Sequence, residues 1–170
     1  KLIYKFYRLP EKYRIRKNLD ALPSFRLQKE NVNECKTVLS RLDLINKMKK
    51  GGIVAELGVD KGNFSEIILK NSMPKELHLI DIWNSKTYPT KKYKLVLNKF
   101  KKEIQKQEIF INRKYSTEAA ADYPNEFFDW IYIDTDHTYE TTLEELYSWQ
   151  SKIKKDGFIL GHDYVSGSFV

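Results

Sequence analysis

The sequence predicts an α/β protein built on a doubly wound, mainly parallel sheet. Three observations predict it. Short apolar runs of strand length recur five times between residues 53 and 163. Helix-like stretches separate each run from the next. The runs are continuous rather than alternating, as strands buried on both faces require.

Taken in order, the first thirty residues are basic and aromatic, broken by Pro10 and Pro23, and read as short helices or an irregular cap. "NVNECKTVLSRLDLINKMKKGG" (31–52) reads as a helix with Val38, Leu39, Leu42, Ile45 and Met48 facing the core, ended by Gly51 and Gly52. "IVAELG" (53–58) is a strand and "NFSEIILKNS" (63–72) a helix. "ELHLIDIW" (76–83) is a strand. "KKYKLVLNKFKKEIQKQ" (91–107) is an amphipathic helix with Leu95, Leu97, Phe100 and Ile104 as its apolar stripe. "EIFINR" (108–113) is a strand, "TEAAADYP" (117–124) a short helix and "FDWIYID" (128–134) a strand. "TYETTLEELYSWQSKIKK" (138–155) is a helix, and "GFILGHD" (157–163) follows a DG turn as the fifth strand.

The 170 residues suit one core, with residues 1–50 as an N-terminal helical lead-in and 51–170 as the α/β body. No apolar stretch is long enough to span a bilayer. The single Cys35 forms no internal disulfide, which suits a reducing, cytoplasmic setting. The net charge of +7 permits contact with nucleic acid. The basic residues are mostly scattered lysines, however, and no zinc-ligand spacing, arginine-rich arm or nucleic-acid motif accompanies them. The oligomeric state stays open, a homo-oligomer included.

In a sheet of this kind ligands bind beyond the carboxyl ends of the strands. The first strand ends in "ELGVDKG", with Glu56, Gly58 and Gly62. Glycine there lets the chain turn tightly and a ligand approach closely, and the next helix offers free N–H groups, although such glycines are often only structural. The second strand ends in Asp81, about twenty residues further on, where a carboxylate can accept two hydrogen bonds from a ribose diol or merely cap a helix. After the third strand, Ser116 and Thr117 could touch a base or cap a helix. The fourth strand runs into "DTDHTY", with Asp134, Asp136, His137 and Tyr139.

Together these residues resemble the class I S-adenosylmethionine-dependent methyltransferases. "VAELGVDKG" looks like their first motif and Asp81 like their ribose-binding acid. "FDWIYIDTDHTYETTLEELYSWQSKIKKDGFILGHDY" is similar to a branch that includes macrocin-type sugar O-methyltransferases and cephalosporin-hydroxylase-like proteins. The resemblance runs from about residue 50 to 165. It implies a Rossmann-like sheet of order 3-2-1-4-5, and a chain that lacks the last two strands of the full fold.

The resemblance also implies site roles. S-adenosylmethionine would lie along Glu56, Gly58, Val59, Gly62, Asn63 and Phe64, with Asp81 and Ile82 at the ribose and Ser116 and Thr117 near the adenine. In metal-dependent relatives, acids ending the fourth and fifth strands hold a divalent cation. The matching positions are Asp134, His162 and Asp163, for Mg2+ or Mn2+. His162 departs from the usual acidic pair and is a softer ligand. His137 occupies the place of a lysine general base in catechol-type enzymes, and Asp134, His137 and Asp163 would activate the acceptor. The implied reaction is O-methylation of a small-molecule or glycan hydroxyl. Rivals are an RNA or protein methyltransferase, or a non-catalytic cofactor-binding or scaffolding protein.

Overall fold

A computed structural model describes residues 28–31, 33, 38–83, 90–136 and 138–161. The chain divides into two compact units, Val38–His162 and a second made of Lys1–Thr37 with Asp163–Val170. In the second, a single 3-10 turn over Lys29–Asn31 is described. The first carries the sheet and everything that follows.

Its elements are α1 (Arg41–Lys47), β1 (Ile53–Leu57), α2 (Asn63–Ser72), β2 (Glu76–Ile80), α3 (Lys91–Lys99), α4 (Lys101–Gln105), β3 (Ile109–Asn112), α5 (Ser116–Ala119), β4 (Phe128–Ile133), α6 (Tyr139–Trp149) and β5 (Ile153–Gly161). The strands form one sheet in the order β3-β2-β1-β4-β5, and every neighbouring pair is parallel. This is the expected Rossmann-like topology. Strand β1 is central, with Val54 opposite both Leu77 and Trp130. All six residues of β4 are buried, which is why its sequence is apolar at every position but Asp129.

Helices cover both faces. On one, Ile45, Ile68, Val96 and Phe100 from the helical layer pack on Val54, Leu77, Leu79 and Trp130. On the other, Ala119, Ala120 and Trp149 pack on Ala55, Leu57, Ile80 and Ile131. Among the described residues, no helix is long and apolar enough to cross a membrane.

Three elements differ from the expectation. The helix before β1 starts only at Arg41, because Ser40 adopts extended backbone and its Oγ accepts from the Asp43 amide at 3.1 Å, an N-cap that sets the boundary. Leu39 therefore lies outside the helix, 96% exposed, and Leu42 is largely exposed too, while Ile45 reaches the core. The lysine-rich helix breaks at Phe100 into α3 and α4. Its buried stripe is Val96 and Phe100, flanked by Tyr93 and Ile104, and Leu95 faces outward. Strand β5 begins at Ile153 rather than after the DG turn. Ile153 pairs with Phe128 and Phe158 with Trp130, so residues 154–157 bulge within the strand.

At the amino end of the sheet, Asp129 accepts from the Ile53 amide (2.8 Å), Lys49 Nζ (2.7 Å) and Lys154 Nζ (2.8 Å), joining β4 to β1, to the segment after α1 and to β5. Burial alone would raise this carboxyl. The hydrogen bonds from Lys154, Lys49 and Ile53 outweigh it and hold the group at about 2. The folded carboxyl is thus more acidic than the ordinary 3.8. Its stabilising contribution is present above about pH 4 and is lost as pH falls through about 2. Thermal melts from pH 2 to 7 should show Asp129→Asn less stable at neutral pH by about 1–3 kcal/mol, with the gap closing in acid.

Candidate functional site

A cavity of about 820 Å³ opens at the carboxyl ends of β1, β2 and β4. It lies where the chain, having built the sheet outward through β2 and β3, returns to the other side of β1 with β4. That switch point is where parallel α/β sheets bind ligands, and the volume suits a small molecule.

The turn after β1 makes the cavity's inner edge. The Gly58 amide donates to the Ile80 carbonyl (2.9 Å), and the Asp134 amide donates to the Leu57 carbonyl (2.8 Å), so the turn is bound to the ends of β2 and β4. Gly58 has φ +88°, and a Cβ on it would stand 2.0 Å from the Asp134 carbonyl oxygen. No side chain fits there. The Val59 and Asp60 amides then both donate to Asp81 Oδ2 at 2.9 Å, and the Trp83 amide donates to Asp81 Oδ1 at 2.6 Å. Asp81 thus holds two loops together. Oδ2 has both lone pairs engaged, and Oδ1 keeps one for a ligand.

Five carboxylates line the cavity, Glu56 from β1, Asp60 in the turn after it, Asp81 after β2, and Asp134 and Asp136 after β4, and the charges of Asp81 and Asp134 act on Glu56. Glu56 is buried and accepts from Ser65 Oγ. Burial pushes its carboxyl up to about 8. The Ser65 hydrogen bond opposes this, the charges of Asp134 and Asp81 add to it, and Arg41 opposes it. Asp134 is ion-paired with Arg41 at 3.3 Å, whose guanidinium lies 4.7 Å over the Phe64 ring. At the other end, Ser116 Oγ and Thr135 Oγ1 both donate to Glu145 of α6, Thr135 at 2.9 Å. The Trp149 indole donates to the Ser116 carbonyl at 3.0 Å.

Of the cofactor-binding residues expected from sequence, Glu56, Gly58, Val59, Asn63, Phe64, Asp81, Ile82 and Ser116 line this one cavity. Gly62 and Thr117 do not. Gly62 sits at the start of α2 with φ +71°, and a Cβ there would meet the Phe100 ring at 2.7 Å, so its part is in packing. Ser116 does not cap α5, because its hydroxyl is turned to Glu145. Asp136 lines the cavity and also accepts from the Thr138 amide (3.1 Å) and Thr141 Oγ1 (3.1 Å) at the start of α6. Tyr139 is 76% exposed and outside the lining.

Asp134 lines the cavity, but His137, His162 and Asp163 lie outside the described residues. Among the described residues no group of three or more His, Cys, Asp or Glu side chains could hold a metal ion. Sequence reasoning missed Arg41, Trp83 and Thr135 as lining residues, and Glu145 behind them. Trp83, next but one after Asp81, carried a signal in its position at a strand end. Thr135, directly after Asp134, carried the same signal, and Arg41 and Glu145 are brought in by packing across distant segments.

The family model for the methyltransferase domain matches residues 55–164. No curated protein matches the chain. Solved structures of the same fold include a precorrin-6y C5,15-methyltransferase from Geobacter metallireducens GS-15, at 11% identity and TM-score 0.54, covering 69% of this chain and 56% of that one. An S-adenosylmethionine-dependent methyltransferase from Mesorhizobium loti matches at 12% identity and TM-score 0.53, covering 71% and 49%. Spermidine synthase from Thermotoga maritima matches at 17% identity and TM-score 0.52, covering 72% and 41%. The chain spans about half the length of these proteins.

Two outcomes follow from the geometry. Gly58→Ala should lower stability by about 3 kcal/mol or more in urea titration, since it combines a left-handed backbone with a backbone clash. For Glu56 the folded value of about 8 exceeds the ordinary 4.5, so the unfolded chain loses this proton first as pH rises. The stability it contributes is complete below about pH 4.5 and declines up to about pH 8, by about 1.4 kcal/mol per pH unit. Melts of Glu56→Gln over that window should lack the decline.

Proposed function

The chain belongs to the methyltransferase-domain family, and from that premise we propose that it transfers a methyl group from S-adenosylmethionine to the hydroxyl of a sugar or small metabolite. The observation that carries the cofactor part is the group of coupled carboxylates Glu56, Asp81 and Asp134, among the five that line a cavity edged by the Gly58 turn. A ring of carboxylates suits a ligand bearing positive charge. When bound, the cofactor supplies an electrophilic methyl carried on a sulfonium. Gly58 leaves the backbone open to close approach. The remaining lone pair of Asp81, on Oδ1, accepts from one hydroxyl of a ribose diol while its other contacts keep the Val59–Asp60 turn in place. A cation in the cavity also favours ionised Glu56, adding a negative charge that the proton on Glu56 otherwise cancels. That field grips a cation more firmly than the neutral thioether left after transfer, which favours product release.

For the acceptor, the proposal rests on the resemblance of residues 128–164 to sugar O-methyltransferases. His137 would take the hydroxyl proton, with Asp134 and Asp163 orienting the acceptor. The described residues supply one of the three metal ligands, Asp134, and do not by themselves fit a cation. No step depends on one, and loss of turnover in EDTA would add His162 and Asp163 as ligands for Mg2+ or Mn2+. Lys61, Lys92 and Lys114 on the cavity lining favour an anionic acceptor, and RNA is the second reading on that ground. Salt-sensitive RNA binding would support it.

The test is calorimetric titration of S-adenosylmethionine into the wild-type chain and Asp81→Ala. Binding that weakens about tenfold or more in the variant is the expected result. Absence of binding to the wild-type chain would overturn the enzyme reading in favour of a scaffolding role.

A further inference from the structure

The lysine-rich segment after β2 touches the cavity only through Lys92, in the first turn of α3. Helices α3 and α4 turn Val96 and Phe100 into the core. Lys91, Lys94, Leu95, Asn98, Lys101 and Lys102 are all exposed, at the spacing that puts residues on one outward side of a helix. Three neighbouring lysines are engaged elsewhere. Lys92 pairs with Asp60, Lys99 donates to Asn63 Oδ1 at 2.8 Å, and Lys106 lies 4.0 Å from Glu108. Lys94, Lys101 and Lys102 have no carboxylate partner among the described residues. Helix α3 contains no acid, and α4 only the half-buried Glu103. A hollow of about 370 Å³ lies on this side of α3, lined by Thr90, Lys91, Lys94, Leu95 and Asn98.

Cations gathered on one face with almost no acid among them attract a polyanion. The rest of the face says which one. Its apolar content is Leu95 alone, 44% exposed, too little to seat a helix in a membrane surface. No exposed aromatic ring or arginine stands among these residues for a base to stack on. Tyr93 is turned aside, its ring 5.1 Å from that of Trp83 and 4.9 Å from the Arg113 guanidinium. What accompanies the lysines is Thr90 and Asn98, whose side chains both donate to and accept from hydroxyls. We propose that the outward face of α3 and α4 docks an anionic polysaccharide. Lysine acts as a point charge, suited to carboxylates or phosphates spaced along a chain, and the hollow seats a sugar ring between them. Because α3 starts at the cavity, where Lys92 is part of the lining, a polymer on this face is held beside the site. The proposal rests on the sugar-hydroxyl reading and narrows it to a charged polymer.

Fluorescence anisotropy of labelled polygalacturonate, titrated with the full chain, tests it. Two triple variants separate the face from the net charge. One carries Lys94→Gln, Lys101→Gln and Lys102→Gln. The other carries Lys47→Gln, Lys50→Gln and Lys155→Gln, exposed lysines on other elements. Both lose the same charge, and neither alters a buried residue. The wild-type chain should bind polygalacturonate and not neutral dextran, and should bind less tightly as salt rises. The first variant should bind about tenfold or more weakly, and the second within about twofold of wild type. Equal loss in the two variants would overturn the proposal, leaving attraction by net charge alone. Tighter binding of a uridine 20-mer or of phosphatidylserine vesicles, lost in the first variant, would overturn it in favour of nucleic acid or membrane. No binding of polygalacturonate by the wild-type chain would overturn it too. S-adenosylmethionine enters none of these titrations, so their failure leaves the cofactor reading standing on its own test.

Discussion

The turn at Gly58 is the constraint on which the site depends. A backbone that passes close enough for an added Cβ to stand 2.0 Å from the Asp134 carbonyl oxygen leaves no latitude in the path of the chain. The Gly58 amide is fixed to β2 through Ile80, and the Asp134 amide to β1 through Leu57. With the turn fixed, the Val59 and Asp60 amides point at one Asp81 oxygen, and that carboxylate in turn fixes Trp83. The cavity is what this chain of contacts leaves open. Its shape comes from backbone placed before any ligand arrives, which is the economical way to bind a flexible molecule.

The second organising effect is charge held in reserve. Three carboxylates near one another repel, and the site relieves the repulsion in two ways. Arg41 pairs with Asp134, and Glu56 retains a proton well above the ordinary carboxyl range. Neither relief is permanent. A ligand with positive charge can take over both tasks, and the repulsion then becomes attraction toward the ligand. A proton on Glu56 and an arginine stacked on Phe64 offset the repulsion among the carboxylates.

Much of the fold is legible in the sequence because burial on both faces writes strands as mostly apolar runs, as in "FDWIYI", where Asp129 is the one charged residue. What was misread are places where a local contact overrides periodicity: Ser40 capping α1, Phe100 interrupting the lysine-rich helix, and the bulge at residues 154–157 absorbing a DG pair that otherwise signals a turn. Strand-end residues of the site were legible for the same reason as the strands. Arg41 and Glu145 were not, because Glu145 is 29 residues from Ser116 and Arg41 is 93 from Asp134. Asp81 shows a subtler gap. Its position was readable, but its hold on three backbone amides was not, since nothing in a sequence says where a loop's N–H groups point.

The parallel sheet separates its two unusual acids. Asp129 lies where β1 and β4 begin, and Glu56 near where β1 ends. One weakens the protein when protonated and the other when ionised. Acid therefore loosens the floor of the domain and alkali its mouth. The strands should fray from opposite ends on the two flanks of the pH profile, so that amide exchange near Ile53 leads on one flank and exchange around Val59 on the other.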